Sequence, residues 1–404
     1  MTKPEIIDAA FKVWGRNLYQ KTSLSQLAGE LGVSKPALYR HFVNKQALTA
    51  AMIESFFDDF AASILPDYER AVHFATKFPA QASEPSEGIF TIIRSIAGFY
   101  GRNLYAFIFS LINLHDRSLD DRDSEEQLKS RGVDMGTLHR VFTKKYVADP
   151  VAMRLIFATM TFFMAQFHKT GKSFENPPTE EGIQKATALM CGIIDSGLGL
   201  SAGEVEHIDF DALEKLIVMH NTETEPLFKA VAEAVAEAGP WGASMDMVAQ
   251  RLGFSKSSLY GHFKNRKDMI RRLFTSEFKK IIEFARQALS LSSVPAEQLY
   301  LGIYSIAVYL RSQPDFLAAL GWVRTRRLDL GKPEKKNEMF RLFEVVDIEQ
   351  IRNSGEEEKQ QMSHWILFLL INILMRSGQI KTHEHNDIRT LYRFLTLGLK
   401  GFLR

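Results

Sequence analysis

Lys35, Tyr39, Arg40, His41 and Lys45 lie close together in the stretch Gly32-Val33-Ser34-Lys35-Pro36-Ala37-Leu38-Tyr39-Arg40-His41-Phe42, followed by Asn44-Lys45. They are cations and hydrogen-bond donors, the side chains that meet phosphates and base edges. Two of them oppose an electrostatic preference. The N-terminal turn of a helix favours carboxylates, yet Lys35 and Lys45 stand in first turns. A cation fits there when it and the backbone N–H groups share a phosphate. A solvated helical hairpin is the plain alternative.

The elements that must position these residues are a helix end, a tight turn and a second short helix. Gly32 tolerates the left-handed backbone that closes the first helix. Ser34 is an N-cap, and Pro36 occupies the first turn, where a missing N–H costs little. Leu38 and Phe42, four apart, turn one face of the new helix inward. Thr22 and Ser23 offer a cap for the preceding helix, whose inner face is Leu24, Leu27, Ala28 and Leu31, and Asn44 can cap the next. The product is a helix-turn-helix with its second helix open to solvent.

The stretch occurs twice. Gly253-Phe254-Ser255-Lys256-Ser257-Ser258-Leu259-Tyr260-Gly261-His262-Phe263, then Asn265-Arg266, repeats it at an ungapped offset of 221 residues. Half of the positions from 23 to 44 are identical in the second copy, with Ser244 in place of Ser23 and Lys267 beside Arg266. A repeat of this length marks a tandem duplication rather than a solenoid.

Both copies resemble the DNA-binding domain of the TetR family of bacterial transcriptional repressors. They carry its Leu-Tyr-x-His-Phe signature as Leu38-Tyr39-Arg40-His41-Phe42 and Leu259-Tyr260-Gly261-His262-Phe263, followed by Asn-Lys and Asn-Arg. The resemblance covers about 50 residues of each half. It implies an all-α fold of two tandem units, each a three-helix head on a helical body for ligand binding and dimerisation. It also implies that the fourth helix links head to body, and that the last two helices of each half form a four-helix dimer interface.

Composition bounds the rest. The chain has 404 residues and a net charge of only +2. Global charge therefore announces no nucleic-acid partner. Residues 1–50 nevertheless carry Lys3, Lys12, Arg16, Lys21, Lys35, Arg40 and Lys45 against Glu5, Asp8 and Glu30, the local excess that phosphate binding needs. The single cysteine, Cys191, excludes an intrachain disulfide and suits a reducing cytosol. It is expected to be a packing residue. The N-terminus lacks the apolar core of a signal peptide. The longest apolar run, 365–375, is too short to span a bilayer. A soluble, cytoplasmic protein without a membrane partner is expected.

Helical periodicity predicts helices over 4–19, from Lys45 through Leu48, Met52, Phe56 and Phe60, and over 151–168 and 181–198, while 89–114 is an apolar and aromatic stretch. Residues 79–86 are a predicted loop, and 115–126, acidic and polar, an exposed loop or a helix start. A connecting segment, 206–222, has helical pattern rather than the composition of a flexible tether. The second half repeats the plan, with Phe228, Val231 and Val235 inward on its first helix and Met245, Val248, Ala249 and Leu252 on its second. The expected domains are heads at 1–48 and 223–269 and bodies at 49–205 and 270–404. Helices 151–168 and 181–198 are assigned to the interface with 360–375 and 387–402, core helices being the alternative.

No Gly-x-Ser-x-Gly, Walker or zinc-protease motif is present. His383-Glu384-His385 is taken as a polar loop, and Gly197-Leu198-Gly199 follows no strand. No enzyme, cofactor or metal is therefore expected. The expected function is a DNA-binding transcriptional regulator, a repressor released by a small apolar ligand. A regulator controlled by a protein partner is the alternative. Residues assigned to DNA are Ser23, Ser34, Lys35, Pro36, Ala37, Tyr39, Arg40, His41 and Lys45 in the first head. In the second they are Ser244, Ser255, Lys256, Ser257, Ser258, Tyr260, Gly261, His262, Arg266 and Lys267. Aromatics assigned to an effector pocket are Tyr100, Phe107, Phe163, Phe167, Tyr300, Tyr304 and Trp322, against the plain reading that each is core. One chain with two heads can form an internal pseudo-dimer on an operator with unlike half-sites. The rival is a homodimer with four heads.

Overall fold

The structure, a computed structural model, describes residues 2–16, 23–77, 86–113, 124–137, 150–173, 175–219, 225–325, 338–377 and 384–402. Among these there is no strand, and the fold is all-α. The predicted loop 79–86 (all but its last residue), residues 115–123 of the acidic stretch 115–126, and His383 lie outside the described residues, as do Leu18, Tyr19, Lys21 and Thr22 and the side chains of Glu384 and His385.

The chain divides into two compact units. One is built mainly from Met1–Asp149 and Met160–Gly192, the other from Pro150–Thr159 and Ile193–Phe402.

In the first unit, α1 (Lys3–Arg16), α2 (Leu24–Glu30), α3 (Lys35–Tyr39) and the start of α4 (Lys45–Lys77) form a head. Its core is Ile6, Ala10, Trp14, Leu24, Leu27, Leu38 and Phe42, all buried. Helix α4 continues past Pro66 and buries Leu48, Met52, Phe56 and Phe60. The apolar, aromatic stretch 89–114 forms two helices, α5 (Ser86–Arg102) and α6 (Leu104–Asn113), broken at Asn103. Phe11 of α1 meets Phe109 of α6 edge to face, 4.9 Å between centroids. The end of α7 (Ser124–Lys129) is tied to α4 by Arg131, which bonds Glu54 at 2.5 Å and Asp58 at 2.6 Å. Helices α8 (Pro150–Thr170) and α9 (Glu180–Ser196) follow. Arg102 grips Glu180 with two nitrogens, at 2.7 and 3.1 Å.

The apolar run 365–375 is not the segment that comes nearest to membrane-helix composition. Val151–Lys169 of α8 is long and apolar enough to cross a bilayer by length and composition, but half of that window is buried inside the protein. A core helix has that property.

In the second unit residues 206–219 of the connection fold rather than hang free; its residues 220–222 lie outside the described residues. Helices α10 (Ala202–Glu206) and α11 (Phe210–Leu216) pack on the second body. Arg389 forks onto Asp211 and, at 2.9 Å, Glu214, which also accepts from the Tyr300 hydroxyl at 2.5 Å. The second head is α12 (Pro226–Gly242), α13 (Met245–Leu252), α14 (Lys256–His262) and the start of α15 (Arg266–Leu289). Its body adds α16 (Pro295–Ser312), α17 (Pro314–Thr325), a 3-10 turn (Glu338–Val345), α18 (Glu349–Asn353), α19 (Glu356–Ser377) and α20 (Glu384–Leu397), ending in a 3-10 turn (Gly398–Phe402).

Within this unit the first residues of α8 and the segment after α9 touch α19 and α20. The buried Trp365 Nε1–H of α19 donates to Thr159 Oγ1 of α8 at 3.1 Å. The ends of α9 and α20 touch backbone to backbone. Leu198 N–H donates to the Leu395 carbonyl at 2.7 Å and Leu200 N–H to that of Thr396 at 3.2 Å. Gly197 and Gly398 face one another across this contact, with φ of +57° and +60°.

Candidate nucleic-acid interface

Each recognition helix is started by a serine and closed by a buried pair. In the first head the Ser23 hydroxyl accepts from Gln26 N–H at 3.2 Å, and Gln26 Oε1 accepts from Ser23 N–H at 2.7 Å, a reciprocal capping box. Gly32 turns the chain with φ +64°, and Val33 N–H returns to the Ala28 carbonyl at 3.0 Å. The Ser34 hydroxyl accepts from Ala37 N–H at 3.3 Å and starts α3. Leu38 and Phe42 are buried beneath it. Asn44 Oδ1 caps α4 through Ala47 N–H at 2.7 Å. The second head repeats each step. Ser244 caps Met247 at 3.2 Å, Gly253 turns the chain, Ser255 caps Ser258 at 3.1 Å and Asn265 caps Asp268 at 3.0 Å. Leu259 and Phe263 are buried as Leu38 and Phe42 are.

These anchors leave a solvent face on each short helix. In the first head it carries Lys35, Pro36, Tyr39 and Arg40, with Ala37 and His41 half-buried at its edge. Tyr39 is 41% exposed, and the Lys35 ammonium lies 5.8 Å from its ring centroid. In the second head Lys256, Ser257, Ser258, Tyr260, Gly261 and His262 are all exposed. The Ser255 hydroxyl lies 2.9 Å from that of Ser257 and 3.0 Å from that of Ser258, so this face is a cluster of hydroxyls. Phe254 stacks on His262 at 6.2 Å.

The cations are less alike than the sequence suggests. Lys35 makes no ion pair among the described residues. Its counterpart Lys256 is bonded to Asp246 of α13 at 2.9 Å, and that hydrogen bond, with the carboxylate's charge, raises the ammonium's pKa. Lys45 is half-buried with its ammonium 5.9 Å from the Trp14 ring centroid, and burial lowers its pKa. Its counterpart Arg266 donates to the Trp241 carbonyl at 2.6 Å. Lys267 stays exposed. The first turn of α15 also holds an acid, the buried Asp268, which accepts from Arg271 at 2.6 Å and from Lys264 N–H at 3.1 Å. Neither α3 nor α4 has an acid in its first turn.

The aromatics assigned to a pocket fall into separate places. Tyr100, Phe107 and Phe167 gather around the buried His168. The His168 ring bonds the Tyr100 carbonyl through Nε2 at 2.9 Å and the Ser173 hydroxyl through Nδ1 at 3.0 Å. Burial pushes the Tyr100 hydroxyl up to about 12, against a lowering hydrogen bond from Ser110. Phe163 packs instead on Phe162. In the second unit Tyr300 and Tyr304 stack at 5.8 Å, beside Phe210 and Tyr392. Burial, then Glu214, raises the Tyr300 hydroxyl's pKa. Trp322 belongs to neither group. It covers the kink at Gly239 in α12 and donates to the Ala236 carbonyl at 3.4 Å, so it joins head to body.

Sequence reasoning missed His168 and Asp246. The repeat aligns Asp246 with Ser25, a visible difference, but ten residues across a turn is no helical spacing, so the Lys256 contact had no periodic signal.

Comparison with known proteins bears on these heads. The family described as "Bacterial regulatory proteins, tetR family" matches residues 6–52 and again 227–273. Over 126 residues the chain is 31% identical to the "HTH-type transcriptional repressor ComR" of Escherichia coli (strain K12). That alignment takes in 31% of this chain and 55% of ComR, about half the length of this curated relative. Among solved structures, the fatty acid degradation regulator FadR from Bacillus halodurans is similar at 16% identity, covering 44% of this chain and 98% of its own, with a TM-score of 0.34. The TetR family transcriptional regulator PfmR from Thermus thermophilus is similar at 22% identity, covering 46% and 94%, with a TM-score of 0.28. Both helix-turn-helix heads match this family, so the chain carries the TetR-family helix-turn-helix unit twice, in tandem.

Proposed function

We propose that the chain is a cytoplasmic, sequence-specific transcriptional regulator that represses by binding an operator with unlike half-sites and is released by a small apolar ligand. The observation that carries this reading is the pair of exposed recognition helices with different side chains at registered positions. Arg40 stands where the second helix has Gly261, and Pro36 and Ala37 where it has Ser257 and Ser258. An arginine can bind guanine O6 and N7 bidentately, whereas glycine offers no side chain. The first half-site is therefore read more stringently. Lys35, Tyr39, His41 and Lys45, with Tyr260, His262, Arg266 and Lys267, serve the phosphates. Ser23, Ser34, Ser244 and Ser255 present helix N-termini to them.

One chain fills one operator, as an internal pseudo-dimer whose heads reach major grooves roughly 34 Å apart. The contacts of Trp365 with Thr159 and of Leu198 with Leu395 support this, because they join interface-type helices of the first repeat to those of the second. The repressor role is supported by the name of the relative ComR. The aromatic group around His168 is where an effector would act.

Selection of operators from random DNA, followed by light scattering on the complex, tests the reading. One chain on an asymmetric site is expected. Two chains on a palindrome refute the pseudo-dimer, and failure to select any sequence refutes the DNA reading.

A further inference from the structure

The two heads differ in one charge that lies beside the recognition helix. Asp246 is the second residue of α13, is exposed, and reaches across the turn to the first residue of α14, its Oδ2 lying 2.9 Å from Lys256 Nζ. The registered residue of the first head is Ser25, and Lys35 there has no carboxylate partner among the described residues. An exposed pair of this kind contributes little to folding. Its effect falls on an incoming anion. A phosphate taking Lys256 must displace a carboxylate that stays attached to the neighbouring helix. That carboxylate then repels it from within about 8 Å, the screening length at 0.15 M salt.

Arg266 compounds the difference, since its guanidinium is engaged with the Trp241 carbonyl. The second head meets DNA with Lys256 paired and one nitrogen of Arg266 held by a backbone carbonyl.

We propose that Asp246 is the affinity-setting residue of the second head, withholding Lys256 from the DNA backbone and keeping this head the weaker of the two. The inference rests on the reading of both heads as DNA-binding. Such a device acts on every sequence alike, because phosphate contacts carry no base information. It makes the second head dependent on the first: the stringent head finds the site, and the weaker one closes on it from the same chain.

The test uses the full chain and its selected operator, with affinity measured across a salt series. Asp246→Ser installs the residue of the first head, and Asp246→Asn keeps the shape while removing the charge. Both should tighten binding by roughly two- to fivefold at 0.15 M salt, the range of one exposed charge contact. Both should steepen the dependence of log Kobs on log salt by about one unit. Ser25→Asp should weaken binding by a similar factor. Lys256→Ala should change little alone, yet abolish the gain of Asp246→Ser. Unchanged affinity and slope in both Asp246 variants would overturn the proposal. So would loss of preference at a single base pair, which would make Asp246 a reader of a cytosine amino group. If the unmodified chain shows no salt-dependent DNA binding, the reading of the heads falls and this inference with it, an outcome distinct from the other two.

Discussion

Gly398→Ala probes the contact where the ends of α9 and α20 cross. A Cβ built on Gly398 stands 2.5 Å from the carbonyl carbon of Asp195 and 2.5 Å from Ser196 N. These are backbone atoms, so no rotamer change relieves the overlap. The φ of +60° adds strain for any L-residue, about 1–2 kcal/mol. Forcing an extra methyl into a packed site adds about 1–3 kcal/mol. Separating the helices would relieve the overlap only by lengthening the Leu198–Leu395 and Leu200–Thr396 hydrogen bonds. The substitution should therefore destabilise the second unit by about 2–5 kcal/mol. With a urea m-value of about 2–3 kcal/mol per molar, that lowers the midpoint by roughly 1–2 M. Urea titration of the full chain followed by far-UV circular dichroism reads it. Gly192→Ala is the control. It lies within α9, nothing stands within 4 Å of its built Cβ, and it should be neutral or stabilising by up to about 1 kcal/mol. Gly197→Ala, whose Cβ meets the Leu395 oxygen at 2.5 Å, should combine with Gly398→Ala less than additively, since either one opens the same contact. Equal midpoints for Gly398→Ala and wild type would refute the close crossing.

Arg40→Ala should relax discrimination at one base pair by about 1–3 kcal/mol in competition binding, while weakening all sequences equally would make Arg40 a phosphate contact. Gly261→Arg should confer a new preference in the second half-site, since nothing lies within 4 Å of its built Cβ, and an unchanged selected sequence would count against that register. The Arg271 hydrogen bond and the Lys264 N–H hold Asp268 below its ordinary value, so its stabilisation is present above about pH 4 and lost as pH falls through the depressed value. Asp268→Asn should accordingly be less stable at about pH 6, with the gap in urea midpoint narrowing below about pH 4; a constant gap would show that the charge is not responsible. Tyr309→Phe strips a 2.8 Å donor from the buried Glu277 and should cost about 1–3 kcal/mol, whereas an unchanged midpoint would mean that the hydrogen bond contributes nothing.

The heads were legible in the sequence because their rules are local. Serine at an N-cap, glycine at a helix end and a Leu–Phe pair four apart each act over a few residues, and the structure uses Ser34, Gly32, Leu38 and Phe42 in those ways. The long-range contacts were not legible. Glu214 and Arg389 are 175 residues apart and Thr159 and Trp365 206, and no period in the chain announces such pairs. Trp322 illustrates the limit of composition. An aromatic on an apolar helix suits a pocket as well as a core, and only the place of Gly239 shows that it covers a kink. Helix α4 runs on through Pro66 to Lys77, where propensity alone predicts a break; its buried face outweighs the lost hydrogen bond.

The folded connection bears on how this chain can evolve. The second unit draws Thr159, Leu198, Asp211 and Glu214 from before the start of the second repeat. A gene cut back to the second copy alone would leave Trp365 without its acceptor and Arg389 without its fork. Once such borrowed contacts accumulate, neither copy can be discarded, and the duplication becomes an inheritance that selection can refine but not undo.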